Sequence, residues 1–255
     1  MSAIEVAARV DGPPSAPTVV LSNSLGSAPG MWDPQYPALR ERLRVVRYDH
    51  RGHGESPVPP APYELADLGA DAIALLDRLG LDRVHWCGLS LGGMVGMWIA
   101  VNAPERIDRL VLCCTSAQLG PPQMWIDRAA TVRAQGVGAI ADVGLERWLS
   151  PAFMQREPET AARVKAMLIA TPAEGYAACC GVIERMDQVD QLHRIGAPTL
   201  VIAGAEDPAT PPEHGELIAS RIPGARLEIV PDARHLATIE QPAAMTELIL
   251  GHLAA

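Results

Sequence analysis

The sequence predicts an α/β fold: a mostly parallel sheet with helices on both faces, interrupted by one helical insertion. Three observations carry this. Short apolar runs rich in β-branched residues alternate with amphipathic segments at both ends of the chain, the rhythm of strands joined by crossover helices. Between residues 120 and 194 that rhythm stops and only helix-type patterns occur. Finally, a Gly88-Leu89-Ser90-Leu91-Gly92 turn lies between a strand pattern and a helix pattern, where a parallel sheet exposes its functional edge.

Residues 4–10 are predicted as a short edge strand, ended by the turn Asp11-Gly12-Pro13-Pro14. Residues 18–21 form a buried strand that runs into the polar loop Ser22-Asn23-Ser24-Leu25-Gly26-Ser27. Residues 44–48 are the next strand, and Asp49-His50-Arg51-Gly52-His53-Gly54 follows it; loop architecture alone explains that charged, glycine-rich run. Residues 65–79 read as an amphipathic helix with Leu68, Ala72, Leu75, Leu76 and Leu79 on one face and Gly80 at its end. Val84-His85-Trp86-Cys87 suits a buried central strand, while Met94, Met97, Trp98 and Val101 recur at helical spacing after the turn. Residues 107–115 are a further buried strand.

Helices are then expected over residues 124–135, 140–148, 159–169 and 174–186, with Trp125, Trp148, Phe153 and Met167 packing the insertion on the main body. The parallel pattern resumes with a strand at 199–203, a helix at 211–220, a strand at 225–230, the turn from Pro231 to His235 and a closing helix at 242–253. Residues 1–120 and 195–255 are thus the predicted core, and 121–194 a helical cap.

Composition narrows the function. The 255 residues are 48% hydrophobic and 20% charged with a net charge of −9, and Lys165 is the only lysine. No basic run exists to meet nucleic acid or an acidic membrane. The five cysteines, Cys87, Cys113, Cys114, Cys179 and Cys180, are odd in number and include two adjacent pairs, which argues for free thiols and a reduced, cytoplasmic compartment. His50 and His53 have no Cys or Glu partner nearby, so no metal is expected. The N-terminus lacks a basic-then-apolar leader, and no 18-residue apolar stretch occurs.

The chemistry rests on three residues at three predicted strand ends: Ser90, Asp207 and His235. Serine on a tight strand-to-helix turn projects above the sheet at a helix N-terminus, whose amides and dipole favour a developing anion. It needs a base to attack near neutral pH, and imidazole needs an acid to fix its tautomer. Strand ends of a parallel sheet share one edge, so the three can converge despite separations of 117 and 28 residues. Asp232 is too near His235 in sequence to reach behind its ring, and Glu206 should point away from its neighbour. Of the other histidines, His53, His85, His193, His214 and His252 sit in positions that read as turn, strand or helix surface.

The sequence resembles the α/β-hydrolases over its whole length, and more narrowly the 3-oxoadipate enol-lactonases. The narrower likeness rests on Leu21-Ser-Asn-Ser-Leu-Gly26, Met31-Trp-Asp-Pro-Gln35, Arg47-Tyr-Asp-His-Arg-Gly-His-Gly54, Gly88-Leu-Ser-Leu-Gly-Gly93, Ile202-Ala-Gly204 and His214-Gly-Glu-Leu-Ile218. Asn23-Ser24 stands where the wider superfamily commonly has His-Gly, as in the enol-lactonases. The resemblance implies cofactor-free hydrolysis of 3-oxoadipate enol-lactone to 3-oxoadipate in aromatic catabolism, with the backbone N–H groups of Leu25 and Leu91 forming the oxyanion hole. An anionic lactone in a protein of charge −9 also needs a local cation. Arg128 lies one turn after Trp125 in the cap, so the two share a helix face and are the candidate substrate contacts. Two rival readings are a general carboxylesterase or C–C hydrolase on the same triad, and a binding protein without turnover, which the complete triad disfavours.

Overall fold

The computed structural model of the protein describes residues 2–254. Strands β1 (Ala8–Asp11), β2 (Thr18–Ser22), β3 (Arg44–Tyr48), β4 (Val84–Leu89), β5 (Ile107–Cys113), β6 (Thr199–Gly204) and β7 (Arg226–Val230) form one sheet in the order β1-β3-β2-β4-β5-β6-β7. Only β1 is antiparallel to its neighbour. From β2 the chain steps outward to β3, then returns past β2 to β4. The order therefore reverses between β2 and β4, and a crevice opens at such a switch point beyond the carboxyl ends of the strands. The Ser22–Ser27 loop and the Ser90 turn flank that crevice.

Helices α1 (Tyr36–Arg40), α2 (Leu65–Arg78) and α3 (Leu91–Asn102) connect the first strands. Five more lie between β5 and β6: α4 (Pro122–Gln135), α5 (Ala141–Trp148), α6 (Pro151–Arg156), α7 (Pro158–Ile169) and α8 (Ala173–Arg185). The chain closes with α9 (Pro212–Arg221), α10 (Ala237–Glu240) and α11 (Pro242–Leu253). Every residue of β2, β4 and β6 is buried, so the sheet is covered on both faces, as a parallel sheet requires. Helix α3 is apolar all round and almost wholly buried, the pattern of a helix inside the core rather than on its surface.

Three differences from the sequence expectations have physical causes. The edge strand begins at Ala8, because side chains capture amides of the preceding backbone: Ile4 N–H donates to Asp71 Oδ1 at 2.8 Å and Ala7 N–H to Ser56 Oγ at 2.9 Å. The short helix α6 was not anticipated, although Ser150 accepts from Phe153 N–H at 3.2 Å and Pro151 follows it, a Ser-Pro helix start. The one-turn helix α10 was likewise missed. His252, read as helix surface, is buried and bonds the Pro198 carbonyl at 3.1 Å.

The insertion meets the core through a backbone contact. Gly175 of α8 lies on Gly52, which has φ +73°, and a Cβ on Gly52 would come within 2.5 Å of Gly175 Cα. Only glycine fits on both sides. Substituting Gly175→Ala is expected to lower the unfolding free energy by about 1–3 kcal/mol, the usual cost of overpacking. Gly251→Ala, at an exposed position of α11 with open space around it, should raise it by about 0.5–1 kcal/mol. Urea denaturation of the two variants checks the contrast.

Candidate active site

The turn after β4 holds Ser90 at φ 55° and ψ −115°, a conformation costly for any residue with a Cβ, typically by about 1–3 kcal/mol. Its surroundings enforce it. Ser90 N–H donates to the Cys113 carbonyl at 3.0 Å, and Thr115 Oγ1 donates to the Ser90 carbonyl at 2.7 Å. Gly88 and Gly92 flank it because the backbone closes on both: a Cβ on Gly88 would strike the Gly92 carbonyl, and one on Gly92 the Ser22 carbonyl. Leu91 is the first residue of α3, where backbone N–H groups have no helical acceptor.

Asp207 follows β6 and His235 follows β7. His235 Nδ1 lies 2.8 Å from Asp207 Oδ2, with both side chains buried. The second Asp207 oxygen accepts from Ala209 N–H at 2.7 Å and Thr210 N–H at 3.1 Å, while Thr210 Oγ1 donates to Oδ2 at 2.7 Å. Burial pushes the Asp207 carboxyl up, but His235 and the Thr210 hydrogen bonds outweigh it and hold the group below the usual carboxylate range. Asp207 is therefore ionised and aimed at Nδ1, leaving Nε2 for chemistry. Glu206 and Asp232 are both exposed.

Ser90 and His235 open on one cavity, with Ser24 and Leu25 on one wall. Trp125, Arg128, Arg147, Trp148, Leu168 and Tyr176, all from the insertion, form the other. Trp125 is buried, its Nε1 donating to the Leu119 carbonyl at 3.0 Å, and the Arg128 guanidinium stacks 4.9 Å from its ring centre. The amides of Leu25 and Leu91 donate to no acceptor among the described residues.

Sequence reasoning missed the buried polar cluster beneath the Ser22–Ser27 loop. Asn23 Nδ2 donates to the Tyr48 carbonyl at 2.8 Å, and Trp32 Nε1 donates to Asn23 Oδ1 at 3.0 Å. His50 Nε2 bonds the Asn23 carbonyl at 3.1 Å, with Tyr48 Oη on its other nitrogen at 3.3 Å. His53 Nε2 accepts from Gly26 N–H at 3.0 Å and its Nδ1 faces the Arg51 carbonyl at 3.2 Å. Arg51, with no exposed surface, makes a two-pronged bond to Asp71 at 2.6 and 2.8 Å. The run 49–54 thus braces the loop beside Ser90. Its available signal was position: it follows a strand on the same sheet edge as the Ser90 turn.

Residues 19–248 match the alpha/beta hydrolase family. The 3-oxoadipate enol-lactonase 2 of Acinetobacter baylyi is 39% identical over 93% of this chain and 89% of its own. The crystal structure of the enol-lactonase from Burkholderia xenovorans superposes with a TM-score of 0.96 at 40% identity, covering 98% of this chain and 96% of that one. A hydrolase structure from Pseudomonas aeruginosa gives 0.95 at 48% identity, over 98% and 94%. The chain belongs to the alpha/beta hydrolase family. Within it, the chain belongs with the 3-oxoadipate enol-lactonases.

The bracing histidines predict an acid sensitivity. His53 accepts through Nε2 and His50 through Nδ1, so both rings are neutral, and burial pushes His50 down to about 3 and His53 to about 4. An unfolded imidazole titrates near 6.5. Below that pH the unfolded chain binds protons that the folded chain refuses, so stability is full above about 6.5 and is lost as pH falls toward 4. Each ring contributes up to about 1.4 kcal/mol per pH unit in that window. Urea midpoints for His53→Asn at pH 7, 6 and 5 should fall less steeply than wild type; identical slopes would contradict the assignment.

Proposed function

We propose that the protein hydrolyses 3-oxoadipate enol-lactone to 3-oxoadipate, with Ser90 as nucleophile, His235 as base and Asp207 as the acid that orients it. The observation that carries this is the shared cavity: a serine at a strained turn and a histidine already paired to a buried carboxylate face two arginines and two indoles. Residues 121–194 act as a cap over that cavity.

In acylation His235 takes the Ser90 proton as Oγ bonds to the lactone carbonyl carbon. The oxyanion rests on the N–H groups of Leu25 and Leu91; losing one such donor typically costs roughly 100- to 1000-fold in rate. As the tetrahedral centre collapses, the ring C–O bond breaks and its electron pair leaves on the enol oxygen, which takes the proton from His235. Water activated by the same imidazole then attacks the acyl-enzyme, expels Ser90 Oγ and returns its proton. The Trp125 wall suits the apolar ring, and Arg128 takes the substrate carboxylate by the charge-assisted pairing guanidinium favours. Five buried free cysteines support a reduced, cytoplasmic setting, and among the described residues no single helix is long and apolar enough to cross a membrane.

Loss of enol-lactone absorbance in the presence of purified protein tests the assignment, and no turnover would overturn it. Ser90→Ala should cost more than about a hundredfold, since loss of a triad serine usually costs far more. Asp207→Asn should cost roughly 10⁴-fold, while the exposed Asp232→Asn stays near wild type; the reverse ranking would mean a different acid. Arg128→Met should lower enol-lactone turnover at least about tenfold and that of p-nitrophenyl acetate much less. An equal loss on both would remove Arg128 from the substrate site.

A further inference from the structure

The cations of the insertion sort into three groups. Arg133, Lys165 and Arg185 are paired with Glu174, Asp142 and Glu64. Arg156, Arg163 and Arg194 are exposed to solvent. Arg128 and Arg147 differ from both: each is half-buried and lines the cavity that holds Ser90 and His235, and neither forms an ion pair among the described residues. Arg128 lies against the Tyr176 hydroxyl and the Trp125 ring. Arg147 Nη2 donates to the Pro208 carbonyl at 3.2 Å, which places it on the side of the cavity where Asp207 and His235 stand.

Two guanidiniums held together part-way out of water, with no salt bridge of their own and only the carboxylate of Asp207, already bonded to His235, acting on Arg147, are unfavourable in isolation. Burial and then the neighbouring Arg128 charge pull the Arg147 guanidinium below its usual range against the opposing charge of Asp207, yet arginine does not give up its proton in a protein. The arrangement is stabilised when an anion enters. Resting on the enol-lactonase reading above, we propose that Arg147 is the second half of a two-guanidinium receptor, gripping with Arg128 the free carboxylate of the lactone and so selecting anionic over neutral substrates. A carboxylate has about four lone-pair sites, enough to accept from both. The receptor supplies locally the attraction that a protein of net charge −9 denies over long range.

The bond to Pro208 makes a purely structural strut the competing role, and Arg147→Gln separates the two. Glutamine keeps an N–H donor for the Pro208 carbonyl and removes the charge. The readout is inhibition of p-nitrophenyl acetate hydrolysis by adipate, a six-carbon dicarboxylate, which does not depend on which lactone is the substrate. For Arg147→Gln the inhibition constant should rise at least about tenfold, and Arg147→Lys should recover part of it. On enol-lactone, kcat/KM should fall at least about tenfold further than on p-nitrophenyl acetate. An unchanged inhibition constant, equal losses on both substrates, or failure of adipate to inhibit the wild-type protein overturns the receptor. If adipate binding needs Arg147 but enol-lactone is not turned over, the receptor stands and the substrate assignment falls.

Discussion

The site depends on one backbone constraint: a serine held at positive φ where β4 turns into α3. The conformation costs energy, and the core around it is built to hold it. Its N–H is tied to the end of β5 and its carbonyl to Thr115, so the two central strands grip the turn from one side. From the other, Gly92 lies against the Ser22 carbonyl so closely that no Cβ fits. That contact sets the distance between the Ser90 turn and the loop after β2. The proposed nucleophile and the proposed oxyanion donors, Leu25 and Leu91, therefore belong to one rigid unit, and donors fixed in advance need no reorganisation when charge develops.

A second layer holds the loop after β2. Asn23, His50 and Tyr48 bond one another out of water and His53 bonds the Gly26 amide and the Arg51 carbonyl, and buried polar groups are stable only when partnered. Arg51 anchors this cluster to α2 through Asp71, and the backbone of Gly52 seats α8. The same six-residue run thus braces the loop below and docks the insertion above. A proton added to His53 would break the bond it accepts from the Gly26 amide of the loop, and one added to His50 the bond it accepts from the Tyr48 hydroxyl, while burial keeps both rings neutral.

Much of this was legible in the sequence. Strand ends of a parallel sheet share an edge, so an Asp after β6 and a His after β7 could be paired before any coordinates, and they lie 2.8 Å apart. The apolar runs located the strands to within a few residues because burial on both faces leaves little choice of composition. The bracing cluster was not legible. His50 and His53 look like turn residues in sequence, and their role comes from a loop 27 residues earlier that the sheet order brings beside them. In the sequence Arg147 is one arginine among several; its half-buried place on the cavity wall without an ion pair singles it out with Arg128, the others being paired with acids or exposed. The composition of residues 4–7 suits a strand, whereas Asp71 captures the Ile4 amide and Ser56 that of Ala7.

The most direct test of the central claim is to catch the covalent intermediate. Ring opening keeps every atom of a lactone on the enzyme, so the acyl-enzyme carries the mass of the whole substrate. Purified protein mixed with enol-lactone, quenched in acid within milliseconds and analysed by mass spectrometry after digestion, should show that added mass on the peptide containing Ser90. The Ser90→Ala protein should show none. Turnover with no adduct on that peptide, or an adduct that persists in Ser90→Ala, would contradict the account.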